Sequence, residues 1–251
     1  MSLSPSSGHG AALRFETSTM SAPGTYAANE DAAGEVTADG RTLLVVADGL
    51  GGHAHGEVAS ALAVASCLAA FQAHPSLDAG ALESLFIGAH GAIAAAAASA
   101  SHPPRTTLVL LAIDEANGRW AHVGDSRLYH FRAGRVAART RDHSVPEMLH
   151  KAGDIRDDEI RTHPDRPRLL HVLGQGTPPK AAVSSAVPLA SGDAFLLCSD
   201  GWWEPVEDEQ MERTLSAAAD PGAWLTTMRT LVERAARRPQ DNYTATAVFV
   251  R

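Results

Sequence analysis

The chain has 251 residues, 45% of them hydrophobic and 20% charged, which is enough to bury the core of a soluble globular protein. Its formal net charge of -8 argues against a general nucleic-acid binder, since such proteins usually carry a basic patch. Two cysteines in separate apolar runs, Cys67 and Cys198, are predicted to be buried thiols in a reducing cytosol rather than a disulfide.

The N-terminal residues, MSLSPSSGHG, lack the basic segment and apolar core of a secretory signal, so residues 1–12 are predicted to form a disordered tail. No apolar run approaches the length of a membrane span, which predicts a cytoplasmic protein with no membrane insertion. Since no repeat or long linker follows, residues 13–251 are predicted to form one domain.

The first half of the chain combines one strand, two helices and a group of short strands. TLLVVA at 42–47 has strand length, and alanine and leucine favour helices over 56–73 and 78–100. Short β-like runs then occur at 106–114, 119–124, 127–131 and 135–140. The turn-like links EANG, DS and RAG favour a meander of hairpins through these four runs.

The second half begins with a polar, irregular stretch at 142–170. A strand at 194–199, helices at 207–219 and 221–237, and a strand at 243–251 follow. In GWW, one of Trp202 and Trp203 is predicted to pack under the Asp200 loop and the other to be partly exposed. Because strands and helices do not alternate regularly, the pattern excludes a doubly wound parallel sheet, and no GxGxxG opens a helix after the first strand.

Residues 45–57, VVADGLGGHAHGE, end an apolar run on a carboxylate and open into a loop of glycines and histidines. Taken alone, this segment is compatible with a phosphate cradle, a zinc site, a simple turn or a divalent-cation site. A zinc site needs further nitrogen or sulfur ligands, and no Cys or His stands at a suitable spacing.

Carboxylates stand at the ends of several apolar runs. Asp48, Asp125 and Asp200 each follow such a run and adjoin a glycine, Asp241 precedes the last strand, and Asp31 ends NED. Aspartates at strand ends often cap turns, which is the alternative explanation for each of them. Together they predict a hard cation, Mg²⁺ or Mn²⁺, because clustered carboxylates stay ionised only when something neutralises them.

Seven motifs, in this order, resemble those of the metal-dependent protein phosphatases, the PPM or type 2C Ser/Thr phosphatases, in their bacterial stand-alone form. The motifs are NED (29–31), VVADGLGGHAHGEVAS (45–60), VGDSRLY (123–129), TRDHS (140–144), HPDRPRLLHVLG (163–174), DAFLLCSDGWWE (193–204) and DNYTATAV (241–248). The resemblance covers residues from about 14 to 251 and implies an α+β fold: an α-β-β-α four-layer sandwich of two antiparallel sheets flanked by helical pairs.

The resemblance also implies two core ions, Mn²⁺ or Mg²⁺. Asp48 would bridge them, and the Gly49 carbonyl would help to bind one of them. Asp200 and Asp241 would hold the other ion. A water bridging the ions would attack the phosphorus of phosphoserine or phosphothreonine, so that no protein nucleophile is required.

Further roles follow from the same resemblance. Glu30 and Asp31 would act largely through metal-bound water, and Asp125 would join Asp200 in a third, weaker metal site. A flap at about 145–170 would influence substrate choice. The substrates would be phosphoproteins, those of a bacterial Ser/Thr kinase, with no nucleic acid involved.

Two positions depart from the family pattern. Tyr26 stands where members usually carry a phosphate-binding arginine, five residues before the NED aspartate. Either phosphate binding is weaker, or Arg14 or Arg127 compensates, or Tyr26 has no contact with substrate at all. Leu50 follows the DG of residues 48–49, an apolar residue as in bacterial members, where eukaryotic members carry a histidine that is a candidate proton donor to the leaving group. His53 is therefore a candidate for that role in this chain, with packing or capping of the next helix as the alternative.

Three functions therefore remain. The metal ligands favour an active phosphoprotein phosphatase. The missing arginine favours a non-catalytic phosphoprotein-binding regulator, and a cleft without it would also suit a small-molecule phosphohydrolase.

Overall fold

The computed structural model describes residues 13–50, 55–96, 103–235 and 239–251. The predicted tail at 1–12 and His53 lie outside the described residues, so the boundary between tail and domain stays a prediction. The described chain forms two antiparallel sheets that lie face to face, with helices on both outer faces.

Sheet 1 has five strands. In spatial order they are β1 (Phe15–Ala22), β12 (Tyr243–Val250), β11 (Ala194–Cys198), β7 (Arg127–Arg132) and β8 (Arg135–Arg139). The first and last strands of the sequence pair along their whole length, from Phe15 opposite Val250 to Ala22 opposite Tyr243.

Sheet 2 has seven strands, three of them only two residues long. The long strands, in spatial order, are β6 (Asn117–Val123), β5 (Leu108–Ile113), β3 (Arg41–Leu50) and β2 (Asp31–Ala38). The short strands are β4 (Arg105–Thr106), which pairs with β3, and β9 (Ala182–Val183) and β10 (Val187–Pro188), which pair with β6.

Helices cover both sheets. On sheet 2 lie α1 (Gly56–Ala73) and α2 (Ala79–Ala96), and on sheet 1 lie α4 (Asp200–Trp203), α5 (Asp208–Ala217) and α6 (Pro221–Ala235). The predicted flap contains α3 (Val145–Ala152) and a 3₁₀ helix (Asp157–Thr162). Ser144 caps α3 by accepting from the Glu147 N–H, and Gly153 ends it in the left-handed conformation at φ 83°.

The apolar run in β3 is continuous because both faces of this strand are buried. Leu44 and Val46 point into the core between the sheets, where they meet Leu197 of β11. Leu43 and Val45 point the other way, into the core under α1 and α2. Successive side chains of a strand alternate between faces, so one run fills two cores. The four-layer α-β-β-α sandwich is thereby confirmed.

The predicted meander is wrong at the DS link. β5 pairs with β6 and β7 pairs with β8, but β6 belongs to sheet 2 and β7 to sheet 1. The link at 124–126 is therefore a crossing between sheets and not a hairpin. Gly124 has φ 100°, and a Cβ there would lie 2.6 Å from the Thr107 side chain, so only glycine fits this crossing.

The helices α1 and α2 are each 18 residues long, with mean hydropathies of 1.4 and 1.3, so by length and composition alone either would cross a membrane. The expectation that no apolar run reaches that length is therefore wrong. Both are core helices, because one face of each, including Cys67 and Phe86, is buried against sheet 2. Their alanines make them apolar all round.

Trp202 and Trp203 are both fully buried, so the expectation that one is partly exposed is wrong. The Trp203 indole N–H donates to the Asp125 carbonyl at 3.0 Å, which explains why it faces inward. The thiols of Cys67 and Cys198 are free and buried, as predicted.

Candidate active site

A pocket of about 480 Å³ opens where the ends of the two sheets meet. It brings together residues that are far apart in sequence and that come from both sheets. The predicted site residues that line it are Tyr26, Glu30, Asp48, Gly49, Asp125, Asp200 and Asp241. Asp31 is buried beside the pocket, and His53 lies outside the described residues.

Asp48 is held at its position by the backbone around it. The Asp48 N–H donates to the Thr107 hydroxyl at 3.0 Å, and the Asp48 carbonyl accepts from the Thr106 hydroxyl at 2.8 Å and from the Thr107 N–H at 2.9 Å. Across the sheet, Asp48 pairs with Asp31 of β2. Two carboxylates are thus placed side by side by strand register alone.

Gly49 occupies a point of very close backbone approach. A Cβ at this position would lie 2.3 Å from the Gly56 carbonyl oxygen and 2.5 Å from that of Glu30. The Gly49 N–H donates to the Glu30 carbonyl at 3.1 Å, which also accepts from the Ser60 hydroxyl at 2.6 Å. Glycine is required here because any side chain would force apart α1, β3 and the NED segment.

Asp31 is buried, and one of its carboxylate oxygens has a hydrogen-bond partner while the other has none. Its Oδ2 accepts from the Ser199 hydroxyl at 2.7 Å, while Oδ1 has no hydrogen-bond partner. Burial raises the pKa of Asp31 to about 7, and the charges of Asp200 and Asp241 add to this, against the hydrogen bonds from Ser199 and Thr244. A buried carboxylate oxygen without a partner, close to other carboxylates, fits the donor set of a divalent cation.

Asp48 and Asp125 are also buried carboxyl groups close to other carboxylates, and their pKa values are raised as well. Burial raises the pKa of Asp48 well above its usual range, and the neighbouring charges of Asp31 and Asp200 raise it further. Burial likewise raises the pKa of Asp125, with the charge of Asp200 in addition. Several carboxylates that each raise the others' pKa bind a divalent cation readily, because the cation removes the repulsion.

Asp125 is positioned by a stack of buried side chains behind it. Its carbonyl accepts from the Trp203 indole, and the Arg127 guanidinium lies 3.4 Å from the centroid of the Trp203 ring. Arg127 itself forms a bidentate pair with Asp142, at 2.8 and 2.7 Å. This stack fixes the crossing between the sheets that carries Asp125.

Arg166 lines the pocket, and the sequence did not predict it as a site residue. Its Nη1 donates to Asp200 Oδ2 at 2.8 Å, and its Nη2 lies 2.9 Å from Glu204 Oε2. Among the described residues, it is the one guanidinium that lines the pocket. It lies in HPDRPRLLHVLG, a recognised motif, but only the fold shows that this stretch returns to Asp200.

Asn242 is a second residue that the sequence reading missed. Its side-chain amide donates to the Pro23 and Ala28 carbonyls at 2.9 and 3.1 Å, and its Oδ1 accepts from the Glu30 N–H at 2.7 Å. It therefore ties the segment before β2 to the start of β12. The signal was present in DNYTATAV, where it stands next to Asp241.

Neither arginine proposed as a substitute at the Tyr26 position is placed to bind phosphate. Arg127 is fully buried and paired, and Arg14 lies at the far end of β1, where its backbone pairs with Arg251. Tyr26 is half exposed on the pocket wall. The hypothesis that Arg14 or Arg127 compensates is therefore wrong, and Arg166 is the cation near the site.

The donor set fits a hard divalent cation. The candidate ligands are carboxylate oxygens and one backbone carbonyl, and the orphaned Asp31 oxygen lies among them. Among the described residues, however, no group of three or more His, Cys, Asp or Glu side chains is arranged to hold a metal ion, so the ligand set is not yet assembled around one point.

A family model described as protein phosphatase 2C matches residues 24–238. The chain belongs to the protein phosphatase 2C family. Serine/threonine phosphatase stp of Listeria monocytogenes is 33% identical over 208 residues, which are 76% of this chain and 81% of that protein. Serine/threonine protein phosphatase PstP of Mycobacterium tuberculosis is 36% identical over 180 residues, which are 70% of this chain and 34% of that protein. The chain thus spans about a third of the length of that relative.

A solved catalytic domain of serine threonine protein phosphatase PstP, in complex with 2 manganese ions, is similar to this type 2C domain with a TM-score of 0.81 and 29% identity. The similarity covers 95% of this chain and 99% of that chain. Together with the family match, it confirms the predicted fold. The individual ligands in this chain stay a prediction.

Proposed function

We propose that this type 2C family member hydrolyses phosphoserine and phosphothreonine in proteins, in a reaction that depends on Mn²⁺ or Mg²⁺. The observation that carries the proposal is the carboxylate cluster around Asp48, with the orphaned Asp31 oxygen inside it. The similarity to phosphatases named for serine and threonine supports the substrate class. Bound ions supply the Lewis acidity and the activated water that the reaction needs.

The proposed ligands divide between the two sheets. Asp48 and the Gly49 carbonyl come from sheet 2, while Asp200 and Asp241 follow and precede strands of sheet 1. Asp125, on the crossing between the sheets, is proposed as a ligand of a third ion. The proposed ligands would thus meet at the joint between the two sheets, which favours a preorganised site.

Two further carboxylates have supporting roles in this proposal. Glu30 lines the pocket and is proposed to accept a hydrogen bond from water there, while the buried Asp31, behind the pocket, is proposed to act on the same water through its unpartnered oxygen. Ser199 donates to one Asp31 oxygen and fixes the direction of the other.

Arg166 is proposed to contact the substrate phosphate. A guanidinium matches the oxygens of a phosphate in a bidentate way, which the phenol of Tyr26 cannot do. In the structure Arg166 neutralises Asp200. A cation held by Asp200 would compete with this hydrogen bond, and Arg166, still paired with Glu204, would then lie beside the pocket to meet an incoming phosphate.

The proposed activity is tested with p-nitrophenyl phosphate and with phosphoserine and phosphothreonine peptides, each with Mn²⁺ and with EDTA. We expect turnover of both kinds of substrate with Mn²⁺, none with EDTA, and loss of activity in Asp48→Asn. Asp39→Asn is a matched control, since Asp39 is exposed in the turn between β2 and β3.

The other outcomes identify the competing functions. No turnover at any Mn²⁺ concentration, in protein shown to be folded, would indicate a non-catalytic phosphoprotein-binding regulator. Turnover of phosphorylated metabolites without turnover of phosphopeptides would indicate a small-molecule phosphohydrolase. A cytoplasmic location and substrates made by a bacterial Ser/Thr kinase remain part of the proposal.

A further inference from the structure

A second concavity, of about 900 Å³, adjoins the active-site pocket. We call it the basic groove, and its described lining is Leu50, Arg105, 167–172, 175–177 and Pro179. It shares Leu50, Pro167 and Leu169 with the active-site pocket, so the two spaces are continuous. A chain with a phosphorylated side chain in the pocket would therefore continue into the groove.

The charge of the groove is opposite to that of the protein. Arg105 and Arg168 line it, and no Asp or Glu is among its described lining residues, although the chain has a net charge of -8. Arg168 is 70% exposed and has a single long contact, 3.3 Å, with Asp165. Arg105 donates to the Gln175 side chain at 3.1 Å, which directs the guanidinium along the groove wall.

The groove wall is built into the fold rather than being a loose loop. Thr106 and Leu173 exchange backbone hydrogen bonds at 3.2 and 2.9 Å, which joins the wall to β4. At the other end, the Leu170 N–H donates to the His143 carbonyl at 2.7 Å. Gly174 has φ 91° and a Cβ there would lie 2.2 Å from the Pro104 carbonyl oxygen, so the turn at the groove end is fixed as well.

The groove also offers apolar contact. Leu170 is 46% exposed on the wall, two residues after Arg168, and Leu50 and Leu169 line both the groove and the active-site pocket. A preformed wall with cations and apolar side chains suits an extended peptide better than a compact small molecule.

We propose that the basic groove binds the segment next to the phosphorylated residue in the substrate protein, and that it selects segments rich in Asp and Glu. The inference rests on the proposed function. Charge complementarity identifies the occupant, because carboxylates of the substrate are attracted to Arg105 and Arg168 and repelled by the acidic remainder of the surface.

The test uses phosphothreonine peptides that differ only in the flanking residues, with either Glu or Gln at several positions before or after the phosphothreonine. Steady-state kcat/KM is measured with Mn²⁺ for the wild type and for the double variant Arg105→Gln/Arg168→Gln. The control is Arg135→Gln/Arg229→Gln, which removes the same charge from exposed positions outside the groove. All variants are first checked for folding by thermal unfolding.

We expect the wild type to prefer one of the Glu peptides over its Gln counterpart by roughly 3- to 30-fold, mainly through KM, as two partly exposed charge pairs allow. The preference should decrease in high salt because these charges are screened. The groove variant should lose the preference, the control pair should keep it, and p-nitrophenyl phosphate turnover should be unchanged in both.

The inference is overturned if the wild type shows no preference while hydrolysing both peptides, or if the groove variant keeps the preference. Lack of turnover with every substrate would instead count against the proposed function. In that case, peptide binding measured by fluorescence anisotropy with Mn²⁺ present tests the inference independently of turnover. Equal binding of the Glu peptide to the wild type and to the groove variant would refute it.

Discussion

Asp31 should make the metal-free protein less stable as the pH rises. In the folded state burial raises its pKa to about 7 from 3.8, so the folded carboxyl binds its proton more tightly than the unfolded one. Its contribution to stability is therefore complete below about pH 4 and is lost as the pH rises to about 7. At about 1.4 kcal/mol per pH unit, the loss is roughly 4 kcal/mol.

The substitution Asp31→Asn isolates this contribution. An asparagine keeps an acceptor for the Ser199 hydroxyl and replaces the orphaned oxygen by a donor, so the shape is preserved while the charge is removed. The measurement is the free energy of unfolding by urea, in EDTA, at pH 5 and pH 8. We expect the wild type to lose roughly 3 kcal/mol more than the variant over this range, because about two pH units of it lie below the folded pKa of about 7.

Mn²⁺ and a surface variant are the controls for this measurement. Saturating Mn²⁺ should abolish most of the extra loss in the wild type, because a bound cation stabilises the ionised carboxylates. Asp39→Asn, in an exposed turn at φ 48° that asparagine also adopts, should behave like the wild type. If the wild type and Asp31→Asn lose stability in parallel between pH 5 and pH 8, the explanation based on Asp31 is refuted.

Three further substitutions test the surroundings of the cluster. Arg166→Met should tighten Mn²⁺ binding about tenfold in calorimetry, since it removes a charge-assisted hydrogen bond that competes for Asp200. Arg156→Met, on the exposed flap surface, should leave the Mn²⁺ affinity unchanged. Equal Mn²⁺ affinities of the wild type and Arg166→Met would contradict the prediction. Asp125→Asn should reduce the number of bound Mn²⁺ ions and lower kcat, and an unchanged count with unchanged kinetics would remove it from the ligand set. Arg127→Met should destabilise the fold by about 3–5 kcal/mol in urea, because it leaves a buried carboxylate unpaired, and a loss below about 1 kcal/mol would contradict that account.

Elements with strong local signals were predictable from the sequence. The helix over 56–73 begins and ends where predicted, because alanine and leucine favour helix throughout and Pro75 follows shortly after its end. Strand β3, which carries Asp48, was predictable because its apolar run is uninterrupted. Asp48, Asp125 and Asp200 were predicted as site residues because each follows such a run, whereas Glu30 was predicted from the family resemblance alone.

Features that depend on two distant parts of the chain were not predictable in the same way. The DS link has the composition of a hairpin turn, but the strands before and after it lie in different sheets. This is because β6 pairs with β5 and β7 pairs with β11. Arg166 lies in a polar, irregular stretch, where no periodicity indicates which side chain turns towards Asp200. Trp203 is buried for a similar reason, since its partner is the Asp125 carbonyl, far away in sequence.

The pairing of β1 with β12 has a consequence for the order in which the protein matures during synthesis. Strand β12 lies between β1 and β11, so sheet 1 remains split until residues 243–250 have been made. Asp241 and Asn242 immediately precede that strand, which means that a nascent chain carries most of the acidic residues before it can assemble them. The long-range closure of the sheet by β12 is then the step that first brings the proposed metal ligands together.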